Sequence, residues 1–149
     1  MGLVMLLEAR WHVSPRDRRE APVRRAIGTA IGYKPPKEKP GNNPALMEVV
    51  GVMVGVGRWS DFWPLHNWLI NEIQEGHDDG RTTFVSPRVL EALEDILDAI
   101  NDNPGSAGRY FEDVEVEEVK IDPMELEFTL RVIAQARKLQ SQGWDRGYW

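Results

Sequence analysis

The side chains that could carry chemistry crowd into one stretch. Residues 59–86 hold two of the three His, the one Asp-Asp pair and three of the six Trp. His66 lies upstream of Asp78 and Asp79, and Arg81 follows them after Gly80. An imidazole steered by a carboxylate can hold or move a proton. Arg81 can offer its planar fork of donors to a phosphate, or pair with Asp79. Asp79 is placed to orient either His66 or Arg81. Trp59, Trp63 and Trp68 provide flat apolar surface on which a base could stack. Each group also has a plainer role. A Trp buries about 150–250 Å² in a core. A His on an apolar helix face is most often a hydrogen-bonded core residue. Asp78 and Asp79 sit between Gly76 and Gly80, where Asp commonly bonds turn backbone.

Other chemistries find less support. With no Cys in the chain there is no disulfide, thiolate metal site or Cys nucleophile. Ser86 stands before Pro87 and serves better as a helix cap than as a nucleophile. Gly55-Val56-Gly57 is not a dinucleotide fingerprint, because Ser60 occupies the third glycine position. His77-Asp78, with His66 upstream and Asp95 or Asp98 downstream, resembles the ligand set of metal-dependent HD-type phosphohydrolases. That motif belongs on a long helix, whereas here it falls in a glycine-flanked turn. The balance weighs against an enzyme, with a metal-dependent phosphohydrolase as the second alternative.

The elements that must position these residues follow from pattern. Leu3, Met5, Leu7, Ala9, Trp11 and Val13 alternate with mostly polar partners, which predicts a strand over 3–13. Residues 47–56 are Val-rich and predict a second strand, with Gly51 and Gly55 marking a bulge or a close backbone approach. Trp59, Phe62, Trp63, His66, Ile70 and Ile73 fall at helical spacing, predicting a helix over 60–75 capped by Ser60 or Asp61, with Pro64 in its first turn. A short strand follows at 82–86. Ser86-Pro87 opens a helix over 87–101 and Asp122-Pro123 another over 123–141. Residues 112–121 are predicted to be a strand with a bulge at Glu117-Glu118. The expected fold is one α+β domain over 1–149: a small, mostly antiparallel sheet with three helices packed chiefly on one face.

Two segments lie outside that frame. Residues 15–45 hold six of the ten Pro and read as a long loop, with one helical turn near Val23 to Ile31. The tail from Gly143 ends in Trp144, Tyr148 and Trp149, and docking on its own domain is the commoner outcome for such aromatics.

Charge is unevenly spread. The net charge is -6. Residues 10–39 carry nine Lys/Arg against three Asp/Glu, and residues 40–149 carry nine against twenty. The basic part lacks aromatic interleaving, and the acidic body would repel DNA, so nucleic acid is not the expected partner. Met1 to Leu7 is too short for a membrane span and lacks the basic start of a secretory signal, so a cytoplasmic setting is expected.

The pattern resembles a family of small proteins encoded by phages, prophages and bacteria. Those proteins open MGLDMYL, matched here by Met1-Gly2-Leu3, Met5 and Leu7. Their centre reads YWRKANxIHxWF, matched by Trp59, His66 and Trp68. Their acidic turn DDCxxYYVS is matched by Asp78, Asp79, Phe84, Val85 and Ser86. Ser60-Asp61-Phe62-Trp63 replaces the family's Arg-Lys-Ala-Asn. The resemblance implies a phage context, in the host cytoplasm, and weight on the His66/Trp68/Asp79 region. It implies no chemistry.

Together these readings suggest a phage-encoded accessory, counter-defence protein that sequesters a small nucleotide-like anionic ligand without turnover. Trp59 or Trp68 would stack on the base. Arg81, with Arg58 or Arg109, would meet phosphate. His66 would donate a hydrogen bond, and Asp79 would hold Arg81 or accept from a ribose hydroxyl. No cofactor or metal is required. The alternative is a protein–protein interaction module that inhibits a host factor through the 15–45 loop and the aromatic tail. Homo-oligomerisation, a dimer by default, is compatible with either.

Overall fold

The computed structural model describes residues 2–14, 17–33, 49, 51–111, 118–144 and 146–148. Alternation in the first strand puts Met5, Leu7 and Ala9 inside, and β1 forms at Val4–His12. It pairs antiparallel with β2, Gly51–Ser60, from Val4 opposite Ser60 to His12 opposite Gly51. Leu7 faces Gly57 but Glu8 faces Gly55, so Val56 is the extra residue of a bulge. The predicted glycine signal was real, although residues 47, 48 and 50 of that expected strand lie outside the described ones.

β2 reaches further than expected, and this changes Trp59. The helical spacing from Trp59 to Ile73 is partly coincidental. Trp59 lies in the strand, opposite Met5, and only 3 % of it is exposed. A Trp suits a strand as well as a helix, and pairing with β1 decides the matter. Asp61 then ends the strand. Its left-handed φ of 57° turns the chain, its N–H donates to the Leu3 carbonyl at 2.8 Å, and its Oδ1 accepts from Leu3 N–H at 2.7 Å. Neither Ser60 nor Asp61 caps the following helix. α2 begins at Trp63, spans Trp63–Gln74, and has Pro64 in its first turn.

β3 is Phe84–Val85, and α3 is Pro87–Asp102. Ser86 caps α3 by accepting from Val89 N–H at 3.3 Å. α4 is Pro123–Ser141, capped by Asp122, whose Oδ1 accepts from Met124 N–H at 2.8 Å. The segment expected to be one helical turn is a ten-residue helix, α1, Ala21–Ala30, with Pro22 in its first turn. The rest of the expected 15–45 loop, from 34 onward, lies outside the described residues. So do residues 112–117 of the expected strand at 112–121; residues 118–121 are not in a strand.

The fourth strand comes from the tail. β4, Arg146–Tyr148, pairs antiparallel with β1 on one side and β3 on the other. The sheet order is β2-β1-β4-β3, antiparallel at every described pairing, and the fold is α+β. Helices cover its inner face: Leu7 and Trp59 meet Leu65 and Leu69 of α2, Leu90 and Leu93 of α3, and Ile133 of α4. Gly57 lets α4 approach closely, since a Cβ there would lie 2.5 Å from a Val132 methyl.

Candidate functional site

α2 presents two faces. Leu65 and Leu69 enter the core, while His66, Ile70 and Gln74 recur every four residues along an adjoining row. That row borders a cavity of about 250 Å³. Val4, Met5, Leu6 and Glu8 of β1 wall one side, and Asp78, Gly80, Arg81 and Thr82 the other.

The loop between α2 and β3 is held by two side chains of α2. His66 Nε2 lies 2.9 Å from Asp78 Oδ2. The carboxylate accepts, so the Nε2 atom carries the proton. Asp78 Oδ1 also accepts from Gly80 N–H at 3.4 Å. The hydrogen bond with His66 is the main reason the Asp78 carboxyl is held below its ordinary value of 3.8, with burial acting the other way. Gln74 Nε2 donates to the Arg81 carbonyl at 3.1 Å and to Thr83 Oγ1 at 2.8 Å. His66 Nδ1 and Gln74 Oε1 are both buried and have no hydrogen-bond partner among the described residues.

The expected site residues separate into groups. His66 and Arg81 line the cavity. Asp79 partners Arg81, not His66: its Oδ1 accepts from Arg81 N–H at 3.1 Å and lies 3.5 Å from Arg81 Nε. Both of those side chains are about half exposed, so the pair is weak and exchangeable. Trp59 is not a stacking wall. Its indole N–H donates to Thr129 Oγ1 at 2.9 Å, and its ring meets Phe128 edge-on. Trp68 is half-buried and packs against the core. Trp63 is 46 % exposed and stands edge-on to His66. Arg58 lies opposite Leu6, on the outer face of the sheet, and does not line the cavity. Arg109 ends a 3-10 turn after α3 and is likewise outside it.

Sequence reasoning passed over Gln74, and of its two readings of Asp79 the one that gave it Arg81 matches the structure, while His66 is held by Asp78 instead. The four-residue spacing of His66, Ile70 and Gln74 was the available signal for the first. The second was not legible, since spacing cannot tell which of two adjacent turn carboxylates faces back to the helix.

The arrangement fastens a loop more than it prepares a reaction. Nε2 of His66 is engaged by Asp78, and Nδ1 is shielded from solvent. Among the described residues no group of three or more His, Asp or Glu could hold a metal ion, so the His77-Asp78 resemblance lacks its ligand geometry. No described helix is long and apolar enough to cross a membrane. The basic segment is partly used internally: Arg19 pairs with Asp17, and Arg24 donates to the Ser14 and Asp17 carbonyls. Trp144 meets Trp11 edge-on at 5.4 Å, so the start of the tail docks on its own sheet. Compared with known protein families, curated proteins and solved structures, the chain gives no match.

Proposed function

We propose that this protein is a non-catalytic accessory module that acts by binding a segment of another polypeptide. One observation carries the reading: among the described residues the cavity beside α2 is lined by aliphatic, amide and charged side chains with the His66 imidazole, and by no indole ring. A nucleotide binder needs a flat wall for the base, and Trp59, the first candidate for it, is spent on the core. Aliphatic surface beside the Gln74 Oε1 acceptor, which lacks a partner among the described residues, is what a peptide, with its own N–H groups, satisfies. The resemblance to phage and prophage proteins supports a host factor in the bacterial cytoplasm as the source of that segment.

A second reading retains the small nucleotide-like anion. Arg81 lines the cavity and its pair with Asp79 is exchangeable, so a phosphate could take the place of the Asp79 carboxylate. The two readings separate in one comparison. The full chain is screened against a displayed library of random peptides, and in parallel by calorimetry against nucleotides and cyclic nucleotides. Saturable, mutually competing peptides with silent nucleotides support the polypeptide reading. Nucleotide heat that disappears in Arg81→Ala, with no enriched peptide, replaces it with the second.

A further inference from the structure

The side chains around the cavity beside α2 offer acceptors and few free donors. Glu8 and Asp78 bring carboxylates, and Gln74 brings Oε1. His66 brings Nδ1, which keeps its lone pair because the proton is on Nε2. Nδ1 and Oε1 have no partner among the described residues, and their side chains belong to residues only 7 % and 2 % exposed. A buried acceptor left unpaired is costly. The donors are largely engaged. Gln74 Nε2 serves the Arg81 carbonyl and Thr83 Oγ1, and the Arg81 guanidinium faces the Asp79 carboxylate.

The two ends of the cavity differ. Gln74 holds Thr83, which precedes Phe84 of β3, and Phe84 pairs with β4. Gln74 therefore marks the end nearer β4. His66 lies eight residues earlier, about 12 Å back along the helix, and it carries Asp78 with it. The Asp78 carboxylate is half exposed there. It accepts from His66 at 2.9 Å and weakly from Gly80 N–H at 3.4 Å. A carboxylate has about four lone-pair sites, so this one has room for another donor. Val4, Met5 and Ile70 supply aliphatic wall.

Resting on the polypeptide reading above, we propose that the Asp78 end of the cavity is a lysine pocket. An unmodified Lys of the partner lays its methylenes along Val4, Met5 and Ile70 and sets its ammonium on the Asp78 carboxylate, beside the His66 ring. Charge complementarity selects a cation: the lining has two carboxylates against one guanidinium, in a chain of net charge -6. Lysine suits the site better than arginine, because the unpaired acceptors sit on separate side chains. Three rotatable donors meet such a set more readily than a planar fork does. Among the described residues no Trp, Tyr or Phe lines the cavity, so a methylated ammonium finds no aromatic cage.

The probe is acetyl-Ala-Ala-Lys-Ala-Ala-amide, titrated into the ¹⁵N-labelled full chain. Parallel peptides carry norleucine, acetyl-lysine, trimethyl-lysine or arginine at the central position. Shift changes from the Lys peptide are expected to centre on His66, Asp78 and Gly80. Norleucine and acetyl-lysine lack the charge, and trimethyl-lysine keeps the charge but lacks the donors. Each should bind about tenfold or more weakly than Lys. Asp78→Asn should remove the preference for Lys over norleucine, and the peptide series itself is read on the parent protein, whatever the fate of that variant. No binding by the Lys peptide, equal binding by trimethyl-lysine or norleucine, tighter binding by arginine, or shifts centred elsewhere each overturns the pocket. Where library peptides still compete with one another without a preference for Lys, the polypeptide reading survives without it. Where no peptide binds and nucleotides do, both fall.

Discussion

Gly57 is the point where the helical layer meets the sheet, and Gly57→Ala tests that contact directly. An added methyl carbon would lie 2.5 and 3.1 Å from the two Val132 methyls and 2.9 Å from the Trp59 ring. Carbon atoms rest at about 3.5–4.0 Å, so α4 or the Trp59 ring must move by roughly 1 Å. Neither yields easily, because Val132 and Trp59 are 6 % and 3 % exposed. Overpacking of this type costs about 1–3 kcal/mol. For a domain of this size each kcal/mol lowers Tm by about 2–4 °C, so calorimetric melting should fall by roughly 2–12 °C. Val132→Ala removes two methyls and should alone cost about 1.5 kcal/mol or more. Combined with Gly57→Ala it should cost less than the sum, by about 1 kcal/mol, because the vacated space receives the new methyl. A Gly57→Ala protein that melts within about 1 °C of the parent, or strict additivity in the double variant, would refute the packing argument.

Asp78→Asn should destabilise the protein by up to about 1 kcal/mol near neutral pH, since the Asp78 side chain is about half exposed. The folded carboxyl is held below its ordinary value of 3.8, so this contribution is complete above that pH and is lost as pH falls through the folded value. The Tm gap between parent and variant should therefore close below about pH 4, and a gap unchanged through acid would show that the charge is irrelevant. Glu75 caps the end of α2 with a left-handed φ of 55°. Glu75→Gly should leave stability equal or raise it by up to about 1 kcal/mol, read as a denaturation midpoint, and a clear loss would contradict the strain. Deleting residues 145–149 removes the strand that joins β1 to β3. Urea melts of that protein should lose cooperativity or shift to a much lower midpoint, and a parent-like transition would show that β4 contributes little.

Much of the fold was legible where local chemistry and tertiary need agree. Ser86-Pro87 and Asp122-Pro123 each combine a side-chain cap with a proline in the first turn, and α3 and α4 begin where those signals stand. The alternation of Met5, Leu7 and Ala9 marked β1 because one face of the sheet is buried. Trp59 misled because a Trp at helical spacing from Phe62 and His66 carries no mark of its partner; only the pairing with Met5 makes it strand. β4 was hidden for a related reason. Three residues beside tryptophans have no periodicity to read, and their strand character comes from the two edges they join. In the cavity, His66 and Arg81 were singled out from the sequence because polar groups near an apolar helix are conspicuous, and both line it. Gln74 was not, since an amide within an apolar row looks like ordinary surface.

The position of β4 also bears on how the chain folds. Its hydrogen-bonding neighbours are Glu8, near one end, and Phe84, past the middle. The central seat of the sheet is filled by a segment synthesised after every element it sits among. A nascent chain can zip β1 to β2 and pack α3 on α4 through nearer contacts, but it holds two unsatisfied strand edges until that segment arrives. Such long-separated pairing slows folding, and in the interval those edges are exposed to any other extended chain in reach. This protein should therefore depend on chaperones more than its size suggests, and its slowest refolding phase should be the one that orders residues 146–148.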